Sequence, residues 1–508
     1  MAELPSGVSL DGSSLSIAQV EQVARGGVRV SITGAADARL RASRAIVEDA
    51  LTDGEAHYGI NTGFGSLSRQ RIAAGELAAL QSNLVRSHAA GVGEPLERDA
   101  TRAMMLLLAG SLCRGASGVR PEVPVLLADL LNAGITPVVP ALGSVGASGD
   151  LAPLAHLALV LIGEGEAELG GRVLPGGEAL ARAGLTPLSL QAKEGLALIN
   201  GTHLMAARAA LACADADRLF EAALLACAMS IDGCRGTDSF LDPRVHELRN
   251  QAGPATVAAR LRSHLAGSEI IESHAENDPR VQDPYSLRCA PPVMGGALDC
   301  LCYVKHAVEA ELGGVTDNPL VFEAEPRIVS AGNFHGMPLA IPLDALAIAL
   351  SHLAGIAERR VFWMLSGRDP ESGLRPYLAS QPGLQSGLMI AQYTAAALCN
   401  EIITLATPAS VSNIPTSAGM EDYNSFGPRS AAKAARAIEL SRRVVAIELL
   451  CAAEAIENHR PLRSGRAVER AHELVREVVP PLDHDRPPSP DIEQIAERIK
   501  RGDFGGLG

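Results

Sequence analysis

Long stretches of small and aliphatic residues constrain the fold of this chain more than any other feature. Three of them lie at about 203–230, 338–365 and 428–458. In the last one, Val445, Leu449 and Ala452 recur on one helix face, which predicts a helix that buries an apolar stripe. Because only 3% of the residues are aromatic and 47% are hydrophobic, the core must consist mainly of Ala, Leu, Val and Ile, which pack helices closely. We therefore expect a mostly α fold.

Shorter elements are predicted before and after these helices. Ser16, with Gln19 three residues later, caps a helix that ends at Gly26-Gly27. A strand is predicted at 28–32, further helices at about 38–51, 77–86 and 101–113, and a polar loop at 267–282. Near the end, Ser489 is predicted to cap a short terminal helix with Pro490 at its first position.

The domain organisation follows from the absence of a Pro/Ser-rich linker or a low-complexity run before the tail. We expect one integrated unit with three parts. These are an N-terminal region over residues 1–115, a helical bundle over 116–480, and a C-terminal tail with the short helix over 481–508.

Composition limits the partners. A net charge of −14 without a long basic run argues against nucleic acid or an anionic membrane, so a small-molecule ligand is expected. The nine cysteines include no Cys-x-x-Cys pair, and residues 1–5 show no signal for export, which predicts reduced thiols and a cytoplasmic protein. No metal is predicted, because His246-Glu247 and His472-Glu473 lack the second histidine of a zinc-binding helix.

A glycine-rich turn at residues 143–150 is the strongest candidate for chemistry. It reads Gly-Ser-Val-Gly-Ala-Ser-Gly-Asp and precedes a run that can start a helix. A plain tight turn is one reading and a phosphate loop another, but the Lys-Ser/Thr pair of a P-loop is missing. A nucleophile elbow is excluded, since Asp150 stands where that motif requires a second glycine.

Cyclisation is a third possibility for this turn. The Gly149 nitrogen is unhindered and can attack the carbonyl carbon of Ala147, while the Ser148 hydroxyl can be eliminated as water. The product is a five-membered imidazolone ring that carries a methylidene group, an electrophile that no unmodified side chain provides. Since Ala-Ser-Gly is a common tripeptide, the residues alone do not decide between these readings.

The longer stretch at 143–156, which continues Leu-Ala-Pro-Leu-Ala-His, resembles the self-processing signature of the aromatic amino-acid ammonia-lyases. Those enzymes make 4-methylideneimidazol-5-one (MIO) from Ala-Ser-Gly, here Ala147, Ser148 and Gly149. Six motifs between about residues 15 and 460 follow the family order. The resemblance implies a long-helix bundle of the fumarase/aspartase-like lyase type with a small mixed N-terminal region. It also implies a homotetramer whose active sites combine several chains.

The other motifs assign site residues by the same resemblance. Tyr58, in Tyr-Gly-Ile-Asn-Thr-Gly-Phe-Gly, matches the tyrosine that removes the substrate β-proton, which requires a lowered pKa, although a lone loop tyrosine is usually only an anchor. Asn200 matches a residue beside the MIO ring, where it stabilises negative charge, although a helix cap is the plainer reading. The remaining matches are Gln282, the second tyrosine Tyr285, the carboxylate-binding Arg288, and Phe334 near the active site.

Two further positions indicate the substrate. Ser87-His88 and Glu421 resemble the histidine-specific members, in which both side chains face the substrate ring, although a lone histidine is usually structural and a loop carboxylate usually solvated. The expected reaction therefore removes ammonia from L-histidine to give urocanate, the first step of histidine degradation. The loop departs from the family pattern Gln-Glu-Asp-His, however, because it reads Met420-Glu421-Asp422-Tyr423.

Several alternatives stay open from the sequence. The enzyme could be a lyase or a 2,3-aminomutase for phenylalanine or tyrosine, and a phosphate-binding or structural helical protein is a remote possibility. The MIO group could capture either the α-amino group or the imidazole ring of the substrate. No residue in the sequence distinguishes these two mechanisms.

Overall fold

Four long helices form the largest part of the fold. In the computed structural model, which describes residues 7–507 except for the side chain of Ser66, they span His203–Gly233, Ala290–Leu312, Met337–Ser366 and Gly427–Glu457. Three of them coincide closely with the predicted stretches, and Ala290–Leu312 is an additional long helix. Since 58% of the protein is helical, the predicted mostly α class is confirmed. The predicted absence of an export signal at residues 1–5 concerns positions outside the described residues.

Tertiary contacts divide the chain into two compact units. The first comprises Met1–Ala214, Lys305–Leu343 and Ala409–Ala432, and the second comprises Asp215–Val304, Asp344–Pro408 and Lys433–Gly508. Boundaries between the units fall within each of the four long helices. The division expected from the sequence, at residues 115 and 480, stays a prediction, because these units group residues by contact rather than by consecutive stretches.

The first unit combines short helices with small sheets. Its helices span Ile17–Ala24, Gly34–Ala50, Leu77–His88, Arg98–Leu112, Glu122–Ala133, Leu151–Leu161, Gly176–Arg182 and Glu194–Ile199. The predicted capping box is present, because Gln19 N donates to Ser16 Oγ at 3.2 Å and Ser16 N donates to Gln19 Oε1 at 2.9 Å. Single turns of 3₁₀ helix lie at Gly65–Leu67, Ala74–Glu76 and Ser417–Gly419.

The sheets of the first unit have two or three strands each. Val8–Leu10 pairs in parallel with Val30–Ile32, which confirms the strand predicted at 28–32. The antiparallel pairs are Val92–Pro95 with Pro140–Leu142, Thr136–Pro137 with Glu166–Leu169, Glu166–Leu169 with Arg172–Pro175, and Leu320–Phe322 with Arg327–Val329. The strand Pro140–Leu142 leads directly into the glycine-rich turn.

The second unit is helical among its described residues. Besides its parts of the long helices, it contains Pro243–Arg249, Ala252–Leu265, Glu269–Glu272, Tyr285–Arg288, Met389–Leu405, Arg466–Arg476 and Ser489–Arg501, with 3₁₀ turns at Ser239–Leu241, Pro370–Ser372 and Pro376–Leu378. Two predictions are corrected here. The 267–282 segment includes one helical turn, capped by the Ser268 hydroxyl. The terminal helix starts at Ser489 instead of being capped by it, because Pro488 already has helical angles and occupies the cap.

The core of the second unit contains a fully buried ion pair. Arg360 Nε and Nη2 donate to the Glu448 carboxylate at 2.5 and 3.0 Å, and both side chains are 0% exposed. Ser230 Oγ adds a further hydrogen bond to Glu448 at 2.8 Å. None of the nine cysteines, which all lie among the described residues, is paired in a disulfide. Met337–Ser366 is long and apolar enough for a membrane span, but 61% of its apolar window is buried, so this is weak evidence for one.

Candidate active site

Residue 201 holds the glycine-rich turn in place through the backbone. Gly201 N donates to Ser148 O at 3.1 Å, and Asp150 N donates to Gly201 O at 2.8 Å. Gly149 lies between these two bonds with φ +74, and a Cβ at this position would overlap the backbone of Gly201. Only glycine therefore fits at the third position of the Ala147-Ser148-Gly149 turn.

Asp150 links the same turn to the start of the helix His203–Gly233. Its Oδ2 accepts hydrogen bonds from Leu204 N at 2.9 Å and Met205 N at 3.0 Å, and its Oδ1 accepts one from Ser144 Oγ at 3.2 Å. Burial raises the pKa of Asp150 to about 7, although these three donors favour the ionised form. Because the Asp150 carboxyl group already accepts from these donors, they are not available to a phosphate, and the turn is a poor phosphate-binding site.

A third segment fixes the beginning of the turn. Ser425 Oγ donates to Gly146 O at 3.0 Å, and Phe426 N donates to Val145 O at 2.9 Å. Among the described residues, neither Gly149 N nor Ala147 O has a hydrogen-bond partner. The two groups that must react in ring closure are therefore free, while the residues around them are held, which fits formation of an MIO group.

A cavity of about 880 Å³ opens beside this turn within the first unit. It brings together most of the site residues predicted from distant parts of the sequence. The predicted residues in its lining are Tyr58, His88, Ala147, Ser148, Asn200, Phe334 and Glu421. Gly149 is buried directly behind Ser148 in the turn. The cavity is large enough for an amino acid with an aromatic ring.

Tyr58 lies in an irregular loop whose glycines are required by close contacts. Gly59 has φ +70, and a Cβ on it would overlap the side chain of Leu196. The half-buried Tyr58 accepts a hydrogen bond at its hydroxyl oxygen from Gly65 N at 3.3 Å. This hydrogen bond fixes the position of the phenol oxygen of a residue that lines the cavity, where a general base must lie to reach a substrate.

His88 ends the helix Leu77–His88 and is held in one tautomer. Its Nδ1 lies 2.9 Å from Leu84 O, and because a carbonyl oxygen only accepts, Nδ1 carries the proton and Nε2 is the acceptor. Burial lowers the pKa of His88, whereas the bond to Leu84 and the charge of Glu421 act in the opposite direction. His88 therefore offers the cavity a neutral imidazole.

Glu421 differs from an ordinary loop carboxylate because it is half-buried and oriented. Its Oε2 accepts a hydrogen bond from Thr416 Oγ1 at 2.8 Å, and the backbones of Thr416 and Glu421 pair in a short antiparallel bridge. Its Oε1 lies 3.5 Å from Ser148 Oγ, at the limit of a hydrogen bond. The turn at 147–149 and the acidic loop thus face the same space.

The two residues that depart from the family pattern also line the cavity. Met420 and Tyr423 are 62% and 64% exposed, respectively. The Tyr423 ring stacks on His335 with centroids 6.3 Å apart, and His335 Nε2 donates to Tyr423 O at 3.0 Å. His335 Nδ1 accepts from Met337 N at 3.3 Å, which fixes this tautomer. Met420, Tyr423 and His335 thus form one wall of the cavity, which Glu421 also lines.

A buried ion pair supports Asn200, and the sequence analysis did not identify it. Lys193 Nζ donates to Asp317 Oδ2 at 2.6 Å, with the two side chains 0% and 3% exposed. Asn200 Nδ2 donates to Asn318 O at 2.9 Å and to Asp317 Oδ1 at 3.4 Å, while Asn200 Oδ1 is buried without a partner among the described residues. Asn200 is also the C-cap of Glu194–Ile199, which agrees with its interpretation as a helix cap. Its catalytic role stays a prediction.

Breaking this ion pair should destabilise the protein. Lys193→Met leaves the Asp317 carboxylate buried and uncompensated, which costs about 3–5 kcal/mol for pairs of this kind. We expect a lower midpoint in urea denaturation followed by far-UV circular dichroism. Adding Asp317→Asn should recover part of the loss, whereas Arg182→Ala in the exposed pair with Glu178 should change the midpoint little. Equal midpoints for Lys193→Met and wild type would contradict this role.

Gln282, Tyr285 and Arg288 belong to the second unit, where they form a cluster of their own. Arg288 Nη2 donates to Gln282 Oε1 at 2.9 Å, and the guanidinium carbon lies 4.5 Å from the centre of the Tyr285 ring. Tyr285 is 70% exposed. Among the described residues, Arg288 forms no ion pair with a carboxylate.

The charge of the cavity is one-sided. Its described lining contains Glu421 and Asp422 but neither lysine nor arginine. An amino-acid substrate has a carboxylate that needs a cationic partner once it leaves water.

Within the described part of the chain, no group of three or more His, Cys, Asp and Glu side chains is placed to hold a metal ion.

Comparison with known proteins agrees with this arrangement. The family model described as aromatic amino acid lyase matches residues 15–477. The chain is 52% identical over 506 residues to a histidine ammonia-lyase of Anaeromyxobacter sp. (strain K), covering 98% of this chain and 99% of that protein.

Two solved structures share the whole fold. The crystal structure of histidine ammonia-lyase from Trypanosoma cruzi superposes with a TM-score of 0.91 at 39% identity, covering 98% of this chain and 94% of that one. Tyrosine aminomutase from Streptomyces globisporus superposes with a TM-score of 0.92 at 36% identity, covering 98% and 97%. The bundle fold implied by the resemblance is thus confirmed. The chain belongs to the aromatic amino acid lyase family.

Proposed function

We propose that this protein is a histidine ammonia-lyase, a carbon–nitrogen lyase that converts L-histidine into urocanate and ammonia. The observation that carries the proposal is one cavity in which the Ala147-Ser148-Gly149 turn faces both His88 and Glu421. The relatives named histidine ammonia-lyase support it. We place the reaction in the cytoplasm, as the first step of histidine degradation.

The electrophile we propose is MIO, formed from Ala147, Ser148 and Gly149. These residues would hold the group, which would supply an electron-poor methylidene carbon able to bind the substrate amine and so make nitrogen a better leaving group. The free Gly149 N and Ala147 O and the anchored flanks of the turn support its formation here. Asn200, buried next to the turn with its amide held by Asn318, is the residue we assign to stabilise negative charge there.

The chain's own residues perform the remaining steps. Tyr58 takes the β-proton of the substrate, and the hydrogen bond from Gly65 N holds its hydroxyl in place at the cavity. The second tyrosine, Tyr285, assists beside Arg288, and Phe334 packs in the cavity wall near the substrate. The apolar lining from Leu84, Leu196 and Ile199 excludes water from the reacting carbons.

Selection of the substrate ring rests on His88 and Glu421. Histidine brings one ring N–H donor and one ring acceptor into the cavity, and both need partners there. The neutral His88 offers an acceptor at Nε2, and Glu421 offers a carboxylate whose Oε2 is held by Thr416 Oγ1. A phenyl ring leaves these groups without partners, which disfavours phenylalanine.

The substrate carboxylate requires Arg288. Because the described cavity lining has no cation, the clamp must come from another part of the protein. Arg288 Nε and one Nη2 hydrogen already have partners, but Nη1 and the second Nη2 hydrogen can still bind a carboxylate in bidentate fashion. We propose that Arg288, Gln282 and Tyr285 serve the cavity of a neighbouring copy in a homotetramer. Light scattering should then give four times the chain mass of 52.8 kDa.

One substrate panel tests the assignment. Wild type should have its highest kcat/KM on L-histidine when compared with L-phenylalanine and L-tyrosine. Glu421→Gln should lower kcat/KM for histidine strongly, since an unpaired buried polar group costs about 1–3 kcal/mol and a charged one more. His88→Phe should also lower histidine turnover and admit phenylalanine. Met420→Gln is the neighbouring control and should keep the order of substrates.

The similarity to tyrosine aminomutase defines the alternative for this panel. Wild type that prefers phenylalanine or tyrosine would reject histidine as the substrate while leaving ammonia-lyase chemistry in place. A β-amino acid among the products, seen by chromatography, would identify an aminomutase. Turnover of none of the three amino acids would reject the proposed function as a whole.

A further inference from the structure

The cluster of Gln282, Tyr285 and Arg288 rests on a single buried residue. Arg288 Nε donates to the main-chain oxygen of Asp283 at 2.9 Å, so the direction of the Arg288 side chain depends on the position of Asp283. Asp283 is 4% exposed, while Tyr285 is 70% exposed. The part of the cluster that can fix its geometry is therefore the buried aspartate.

Asp283 is held by two partners in the second unit. Its Oδ2 accepts hydrogen bonds from Thr237 N at 2.9 Å and Thr237 Oγ1 at 2.7 Å. Its Oδ1 accepts one from Arg280 Nη1 at 3.2 Å. A carboxylate with three donors and almost no exposure has one favoured orientation, and its own main-chain oxygen is then fixed as well.

Arg280 connects this aspartate to three other points of the fold. Its side chain is 7% exposed, and its Nη2 donates to Asp369 Oδ2 at 2.5 Å and to Cys234 O at 3.1 Å. Its Nη1 also donates to Arg235 O at 2.5 Å, and Arg235 has the left-handed φ of +50 that non-glycine residues adopt at a cost. Only a planar guanidinium can reach four acceptors at once, so lysine is no substitute.

We propose that Arg280 is a positioning residue for substrate carboxylate binding: through Asp283 it fixes the direction in which Arg288 presents its guanidinium. The proposal rests on the proposed function, because it takes Arg288 as the carboxylate clamp. Arg280 itself touches neither the substrate nor the turn at 147–149. Its loss should weaken binding of the carboxylate without affecting formation of the electrophile.

The test compares Arg280→Gln and Arg280→Lys with wild type. KM for the preferred amino acid should rise by about 10- to 100-fold in both variants, the range expected for losing a hydrogen bond to a charged group, with a smaller change in kcat. Arg244→Gln is the matched control, since Arg244 is an arginine of the same unit with an 83% exposed side chain, and its KM should equal that of wild type. Recovery of normal KM in Arg280→Lys would show that charge alone suffices and would overturn the proposal.

Two inhibitors separate positioning from a general loss of structure. Imidazole-4-propionate keeps the substrate carboxylate and histamine lacks it. Arg280→Gln should weaken binding of the first by about 10-fold or more and leave binding of the second unchanged, measured as Ki or by calorimetry. Equal weakening of both, or of neither, would overturn the proposal. Formation of MIO removes two waters from the chain, one in ring closure and one from the Ser148 hydroxyl. The intact mass of each variant should show the same loss of two waters as wild type.

A milder variant keeps the test decisive if Arg280→Gln does not fold. Thr237→Val removes one donor to Asp283 at nearly constant volume and should raise KM by about 2- to 10-fold with the same difference between the inhibitors. An unchanged KM would contradict the proposal. Failure of the proposed function has a different signature: wild type then turns over phenylalanine or tyrosine, and the same comparison is made with phenylpropionate and phenethylamine.

Discussion

Ser148→Ala is expected to fold and assemble normally but to turn over almost no histidine. Among the described residues, the Ser148 hydroxyl has one hydrogen-bond partner, Glu421 Oε1 at 3.5 Å, so its loss should not disturb the fold. Without the hydroxyl no methylidene group can form, and the substrate amine stays a poor leaving group. By comparison with other enzymes that lose a covalent catalyst, kcat should fall by about 10⁴–10⁶-fold.

Intact-mass spectrometry provides a readout that does not depend on turnover. The wild-type chain should be lighter than its gene predicts by two waters, one from ring closure and one from the Ser148 hydroxyl. Ser148→Ala should lack the near-UV absorbance of the folded wild type. Ser31→Ala, at an exposed serine of the first unit, should keep both the mass loss and the activity. An active wild-type protein with its full encoded mass would exclude MIO.

Tyr58→Phe should lower kcat by about 10²–10⁴-fold, the usual cost of losing a general base. The change removes only the phenol oxygen, whose one hydrogen-bond partner among the described residues is Gly65 N at 3.3 Å, so stability should change little. Unlike Ser148→Ala, this variant should retain the loss of two waters, which separates proton transfer from formation of the electrophile. Tyr303→Phe, at a half-exposed tyrosine of a long helix, is the control. Near-normal turnover in Tyr58→Phe would require another base.

The same variant tests whether active sites are shared between copies. Tyr58→Phe and Arg288→Gln should each be nearly inactive alone. When they are co-expressed, a cavity with an intact Tyr58 can receive an intact Arg288 from its neighbour, and part of the activity should return. If each chain used its own Arg288, co-expression would restore nothing.

The sequence predicted those parts of the fold that depend on local patterns. The helices at 203–233, 337–366 and 427–457 follow from aliphatic periodicity, and the Ser16 capping box follows from two residues three positions apart. Apart from the strand predicted at 28–32, the strands were not predicted, because they are two to four residues long and too short for alternation to be visible. The boundary at Ser489 was wrong because the preceding proline can itself adopt helical angles.

The candidate site likewise has parts that local sequence patterns predict and parts that they do not. Tyr58, Ser148 and Asn200 stand in recognisable motifs, and the structure places them around one cavity. The supports of these residues were not predictable, since Lys193 and Asp317 are 124 positions apart and Ser425 and Gly146 are 279 apart. Such pairs have no signature along the chain. Only the folded protein shows that the turn needs them.

The anchoring of the turn also bears on the stage of folding at which residues 147–149 could close into a ring. The segment from Gly201 to Met205 and the segment at Ser425 and Phe426 hold the turn, and these two regions meet it only after folding. If residues 147–149 form the proposed MIO group, a nascent chain that has not yet folded therefore carries an ordinary serine at position 148. On this proposal, a copy acquires its reactive group only after the anchoring segments have come together.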